Sequence, residues 1–302
     1  MFSTIQVHRS RVSSWWRKEG QYAGFDALHI ATPVFAAAFA EIETPIPYSL
    51  ALDVTRAASQ RDLGKHLFST RAIARERPLL QGAETVAALS RWAAASAVQD
   101  GGVDADRVLI VPPSVDFNSI PLLVKKTAGS MVNLLFVGND FQRKGGDLLV
   151  SWHQRHFADV ARLHIVTKKP LIDNDLKNVV WHGSVPYAEL LGKIFPNMDI
   201  FCLPTRADMS PWVLTEASAC GLPIVTFRVG GIPDLCLHGE TGFVLDRNDL
   251  EGYVAALERL IQNFSLREDM GHAARRHAEA NLDADKNYGA LFDRMVRSTT
   301  MT

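Results

Sequence analysis

Residues 204–223 read Pro204-Thr-Arg-Ala-Asp208-Met-Ser210-Pro211-Trp212-Val213-Leu-Thr-Glu216-Ala-Ser-Ala-Cys220-Gly221-Leu-Pro223. Two carboxylates, Asp208 and Glu216, stand eight positions apart around a helix start. Ser210 suits the N-cap and Pro211 the first helical position, since proline has no N–H to leave unpaired. Gly221 and Pro223 predict the stop. The N–H groups of Trp212 and Val213 then point out of the positive end of the helix, where an anion is stabilised. Glu216 falls about 7.5 Å beyond Pro211 along the axis at 1.5 Å per residue. One molecule can thus be held at three points: a hydroxylated group at Asp208, a phosphate at the helix tip and a second hydroxylated group at Glu216. A nucleotide sugar has that layout.

Around this stretch, short β-branched runs alternate with helical patterns. Strands are predicted at 134–137, 163–167, 179–182, 200–203, 224–227 and 243–245, and helices at 146–156, 187–195, 211–220 and 250–263. Such alternation predicts a parallel sheet wrapped by helices. Open sheets of this kind bind ligands at the carboxyl ends of their strands, and 204–223 directly follows the strand 200–203. Earlier in the chain, strands are expected at 27–31, 48–52, 86–89 and 108–111, with helices at 34–40, 55–67 and 91–99. Pro112, Pro113 and the polar stretch to Ser130 read as a linker. A last helix is expected over 283–297.

The 302 residues are enough for two domains, and 47% apolar with 22% charged residues is ordinary for a soluble globular enzyme. A formal net charge of −1 argues against a general nucleic-acid binder. Cys202, Cys220 and Cys236 lack metal-like spacing and read as reduced core residues of a cytoplasmic protein. No apolar run is long enough to span a bilayer, and residues 8–20 are too charged for a signal peptide. His8 to Lys18 mixes cations with Trp15 and Trp16. It reads as a solvated edge with inward tryptophans; the other reading is peripheral contact with an anionic inner membrane face.

Asp208-x7-Glu216, followed by Ala217, Ala219, Gly221 and Pro223, resembles the acidic-x7-acidic signature of the retaining glycosyltransferases of family 4. Aspartate stands where the first glutamate is more usual. The resemblance extends to Phe25-Asp26-Ala-Leu-His29, Ser90-Arg-Trp92 and Val111-Pro-Pro-Ser-Val-Asp116. It also covers Val137-Gly138-Asn139 followed by Arg143-Lys144-Gly145, then Trp181-His-Gly183-Ser184-Val185, and Val229-Gly-Gly-Ile-Pro-Asp234. It departs at Ala31, where the family has a second histidine, and at Asn139, where it has an arginine. The family's opening strand and glycine-rich loop are missing, which implies either a shortened member or a start further upstream.

The resemblance implies an α/β, GT-B-like fold: two Rossmann-like domains facing a cleft, the N-terminal one incomplete. Residues 1–118 would form a partial acceptor-side domain. Residues 119–302 would form the nucleotide-sugar domain, the terminal helix packing back on the first. In that likeness Lys144 binds the donor pyrophosphate, Arg143 stands in for the missing arginine, Asp208 contacts the sugar and Glu216 the ribose. Ser210, Pro211, Trp212 and Val213 frame the phosphates, while Gly138, Asn139, Gly183 and Ser184 line the donor. Gly183 is read as a close-approach position, with a simple tight turn equally open. Val229 to Asp234, Gly239 and Gly242 read as turns framing the sheet.

The expected activity is transfer of a hexosyl group from a UDP- or GDP-sugar to the hydroxyl of a sugar, glycan or lipid-linked glycan. Configuration would be retained, with no metal and no cofactor. Charge on the departing diphosphate is what fixed cations and N–H donors would stabilise. Two rivals remain: a non-catalytic nucleotide-binding or scaffold remnant, which Ala31, Asn139 and the missing loop favour, and a nucleotide-sugar epimerase.

Overall fold

The computed structural model describes residues 26–32, 46–64, 68–120, 131–168 and 176–300. The expected helix at 34–40, the segment 8–18 and the linker residues 121–130 lie outside these. The chain divides into two compact units, residues 1–112 with 286–302, and residues 113–285.

In the first unit, β1 (Leu28–Ile30), β2 (Tyr48–Leu52), β3 (Thr85–Ala88) and β4 (Val108–Ile110) form a parallel sheet in sequential order. Its core gathers Ile30, Leu50, Leu52, Leu79, Leu80, Val86 and Val103. Three helices, Arg56–Leu63, Thr70–Gly82 and Arg91–Gln99, start on the hydroxyls of Thr55, Ser69 and Ser90. Each hydroxyl satisfies a first-turn N–H that has no intrahelical acceptor. From the last helix, Ala284–Thr300, Leu291 and Met295 pack with Ala87 and Val111.

The second unit holds a six-stranded parallel sheet: β5 (Val132–Val137), β6 (Ala161–Val166), β7 (Val179–Gly183), β8 (Ile200–Leu203), β9 (Ile224–Phe227) and β10 (Gly242–Leu245). The spatial order is β10-β9-β8-β5-β6-β7. Every residue of β8 and β9 is buried, as expected of a sheet covered on both faces. From β5 the chain winds one way to β6 and β7; from β8 it winds the other way to β9 and β10. The switch therefore lies between β5 and β8, where open α/β sheets carry their ligands.

Helix Leu250–Gln262 buries Tyr253, Ala256, Leu257, Leu260 and Ile261, the spacing of one helical face. The Tyr253 hydroxyl donates to the Val225 carbonyl at 2.8 Å, so the sheet core keeps no unpaired phenol there. Helix Phe264–Asn281 follows at once, and buried Arg267 donates to the carbonyls of Leu260 and Ile261 at 2.6 and 2.9 Å. It thereby satisfies the preceding helix end.

Two helices depart from the sequence expectation. Thr70–Gly82 carries Pro78 inside it, and Phe264–Asn281 buries mainly Met270, Gly271, Ala273, Ala274 and Ala278, whose small side chains leave little apolar periodicity. Ile232–Leu235, read as part of a turn, is a single helical turn. The expected helices at 146–156 and 187–195 begin as Gly146–Trp152 and Tyr187–Glu189 and then widen to i→i+5 bonding at His153–Phe157 and Leu190–Ile194.

Candidate functional site

The loops after β5 and β8 leave the two sides of the switch point and are tied to each other. The Arg206 N–H donates to the Arg143 carbonyl at 2.9 Å, and Arg143 Nη1 donates to the Ala207 carbonyl at 2.5 Å. Arg206 also grips Asp147 with both ends of its guanidinium, at 2.7 and 2.9 Å, a planar fork that fixes orientation as well as distance. Gly145, at φ +79°, lies against Pro204: a Cβ there would sit 1.9 Å from the Pro204 carbonyl oxygen, so only glycine fits. These contacts fasten Lys144 and Asp208 to one rigid edge.

Lys144 folds back over Gly138, where a Cβ would be 2.6 Å from the lysine Cδ. Its Nζ stands 3.3 Å from Asp208 Oδ2, and Arg143 Nη1 is 3.5 Å from the same oxygen. Neither contact has hydrogen-bond geometry, so among the described residues Oδ2 is met by charge alone. Arg143 is further committed to Asp140 at 2.7 Å. The substitute cation expected at the missing arginine's place is thus largely engaged inside its own loop. Asn139 is exposed and Gly138 buried.

The helix after β8 runs Trp212–Ala219 with Pro211 as its N-cap, and no side chain caps it. Ser210 is therefore not the N-cap, nor Pro211 the first helical residue, because the chain turns one residue later than expected. The consequence is chemical: Ser210 is 5% exposed, yet among the described residues its hydroxyl has no hydrogen-bond partner. A buried hydroxyl left unpaired is costly, and here it sits beside first-turn N–H groups of Trp212 and Val213 that have no intrahelical acceptor. An anionic group placed there would satisfy all three.

Glu216 lies one turn into that helix, 8% exposed. Burial raises its pKa; the neighbouring Tyr187 hydroxyl and the charge of Lys144 oppose that rise. Tyr187 itself is pushed up to about 12, first by desolvation and then by Glu216. Gly183 and Ser184 stand at the end of β7, where the pairing with β6 slips between Ile165 and Val166. Gly183 adopts φ +68° with open space around its missing Cβ, so glycine is needed there for backbone conformation. His182 is a strand residue, hydrogen-bonded to His164 at 2.9 Å.

Three contributors escaped the sequence reading. Tyr187 follows the Gly183 turn closely but matches no motif. Arg206 and Asp147 meet across 59 residues. Gly230, read as a framing turn, stands at φ +54° against the Asp208 loop, where a Cβ would be 2.5 Å from the Asp208 carbonyl oxygen. Its neighbour Gly231 donates to the Met209 carbonyl at 2.6 Å. The glycine pair is the signal that could have found this brace.

Residues 132–263 match the family described as Glycosyl transferases group 1. They form a group 1 glycosyltransferase domain. D-inositol 3-phosphate glycosyltransferase of Pseudarthrobacter chlorophenolicus is 29% identical over 225 residues, covering 68% of this chain and 54% of the relative. The chain therefore spans about half the length of the curated relatives it matches. Among solved structures, sucrose-phosphate synthase from Thermosynechococcus elongatus superposes with a TM-score of 0.78 at 15% identity, over 98% of this chain and 79% of that one. HepE of Anabaena, solved with UDP, gives 0.76 at 15% identity, over 96% and 82%. At these identities the likeness establishes fold: two parallel sheets, with GT-B glycosyltransferases as neighbours. The group 1 domain carries all of the switch-point residues described above.

Among the described residues no group of three or more His, Cys, Asp or Glu side chains could hold a metal ion, and no helix is long and apolar enough to cross a membrane. The three cysteines are buried, and among the described residues none is in a disulfide.

Proposed function

We propose that the chain is a retaining glycosyltransferase that moves a hexosyl group from a UDP-sugar to a hydroxyl acceptor. The observation that carries this reading is the unpaired Ser210 hydroxyl beside the open helix start, with Lys144 on one flank and Glu216 on the other. In this reading the diphosphate lies against the N–H groups of Trp212 and Val213, with Lys144 and Arg143 nearby. Asp208 holds the transferred sugar and Glu216 the ribose. Gly138, Asn139, Gly183 and Ser184 line the donor.

The bond from the sugar's anomeric carbon to the β-phosphate oxygen breaks, and the acceptor oxygen bonds to that carbon on the same face. The acceptor proton passes to the departing phosphate, so no side-chain nucleophile and no divalent metal is required. Fixed cations and N–H dipoles stabilise the developing charge.

UDP is preferred over GDP because HepE of Anabaena is solved with UDP and with UDP-glucose. The acceptor is a sugar, glycan or lipid-linked glycan. Three buried cysteines outside disulfides support a cytoplasmic setting, with the inner membrane face as the place where a lipid-linked acceptor would be met.

Calorimetry with UDP and GDP tests the binding half, and a folded protein that binds neither defeats the proposal. NMR of the anomeric proton of the product tests retention; an inverted anomer contradicts it. Ala31 and Asn139 keep a non-catalytic nucleotide binder as the second reading, marked by UDP binding without transfer to any of a broad acceptor set.

A further inference from the structure

The helix that follows β8 buries every residue from Val213 to Ala219, yet its first residue, Trp212, leaves a large indole 45% exposed. Trp152 is buried and Trp181 half-buried, so Trp212 is the exposed tryptophan among the described residues of the second unit. Open aromatic surface beside a few polar groups is the composition of a ligand-pocket wall.

Helical spacing says what this wall faces. Glu216 comes four residues later, so the two Cβ atoms are neighbours on one helix face, roughly 5–6 Å apart. Helical side chains lean toward the N-terminus, and Glu216 therefore covers the turn that carries Trp212. A ribose held by the Glu216 carboxylate lies along that turn, beside the indole. The buried Ser210 hydroxyl, unpaired among the described residues, stands two residues before the indole, on the side proposed for the diphosphate.

We infer that Trp212 is a donor-contact residue: the face of its indole packs on the C–H groups of the ribose whose hydroxyls Glu216 holds. The inference rests on the proposed donor reading of Glu216 and adds a side chain to it. Carbons bonded to oxygen carry positively polarised hydrogens, and the face of an aromatic ring is negative, so the two attract. The indole also keeps water from the bonds between ribose and carboxylate, which strengthen as their surroundings become less polar. This contact reads the sugar of the nucleotide and not its base.

The test is UDP binding by the full chain as wild type, Trp212→Phe and Trp212→Ala, measured by calorimetry and by transferred NOE. The alanine variant is expected to bind UDP about tenfold more weakly, from the lost ring contact and the lost apolar burial. Phenylalanine keeps a ring face, and its affinity is expected to stay within about threefold of wild type. Inorganic pyrophosphate, which has no ribose, should bind all three alike, since the backbone N–H of residue 212 is retained. In the wild type, indole protons should give transferred NOEs to the ribose protons of UDP, and these signals should vanish in Trp212→Phe.

Equal UDP binding by wild type and the alanine variant overturns the role of Trp212 and leaves the donor reading standing. NOEs that are absent, or confined to the uracil protons, do the same. A loss of pyrophosphate binding as large as that of UDP also overturns it, because the side chain would then act by shaping the helix start. If Trp212→Ala does not fold, the wild-type NOEs and the phenylalanine variant decide. No UDP binding by the wild type removes the donor reading and this inference with it.

Discussion

Asp208 and Glu216 are carboxylates on the same group 1 domain, eight residues apart, yet their surroundings are opposite. Asp208 faces two cations, Lys144 at 3.3 Å and Arg143 at 3.5 Å, with its charge answered by charge. Glu216 is buried and feels Lys144 only through space. One end of the site is thus an ion-pair cluster that an incoming anion must rearrange. The other is a desolvated acceptor waiting for hydroxyl donors. Lys144 is the residue common to both, and the sharpest test of the contrast is to remove it.

Lys144→Ala should weaken UDP binding on the order of 100-fold, since a cation about 4 Å from a phosphate in a partly buried site contributes a few kcal/mol. Titration calorimetry reads this directly. A loss under fivefold would mean that the diphosphate does not depend on this cluster.

Glu216→Gln comes next, with UDP affinity lowered about 20-fold, because the amide offers one acceptor oxygen where the carboxylate offers two. The same variant should be more stable at neutral pH. Burial lifts the folded pKa of Glu216 above the unfolded value, so the folded state holds a proton that the unfolded state has released in the window above 4.5. Stability from this group is present at low pH and is lost as pH rises through the folded pKa. Gln carries no such charge, and a gain in stability, read as a higher Tm at neutral pH, is expected. A lower Tm would show that the carboxylate contributes structure as well as a binding site.

Gly230→Ala breaks the other side of the comparison. The new Cβ would meet the Asp208 carbonyl oxygen at 2.5 Å and that of Met209 at 2.8 Å, at a backbone φ of +54°. A cost of roughly 1–2 kcal/mol in stability is expected. UDP affinity should fall about fivefold through displacement of the Asp208 loop, while the carbon-13 titration of Glu216 stays put. Chemical denaturation and the NMR titration check the two halves. A shifted Glu216 would mean that the two ends are coupled.

His164→Gln has the smallest expected effect and marks the background. Burial, then the charges of His182 and Arg162, push His164 down to about 4. Its folded pKa lies below the unfolded 6.5, so the stability it contributes is intact above pH 6.5 and is lost as pH falls toward 4. The variant should flatten the pH–stability curve in that window and leave neutral-pH UDP affinity within twofold. An unchanged curve would assign the acid sensitivity to other groups.

The strands were legible because parallel strands buried on both faces read as continuous apolar runs, as Ile200–Leu203 and Ile224–Phe227 do. The helix Phe264–Asn281 was not, because Gly271 packs where a Cβ would lie 2.4 Å from the Gly221 carbonyl oxygen, and close packing of small residues removes the periodic signal. At the site, Asp208, Glu216 and Lys144 could be read from local spacing. The Arg206–Asp147 fork and the Gly230 brace could not, since each acts through a partner far away in sequence. The start of the helix at Trp212 shows the limit of local rules. Ser210 has the composition of a cap, but the structure keeps its hydroxyl unpaired.

The most direct measurement is a crystal structure of the full chain with UDP. The account predicts phosphate oxygens within hydrogen-bond distance of the Trp212 and Val213 N–H groups and the Ser210 hydroxyl, and ribose hydroxyls on Glu216. UDP bound elsewhere, or a Ser210 hydroxyl that remains unpaired with UDP present, would contradict it.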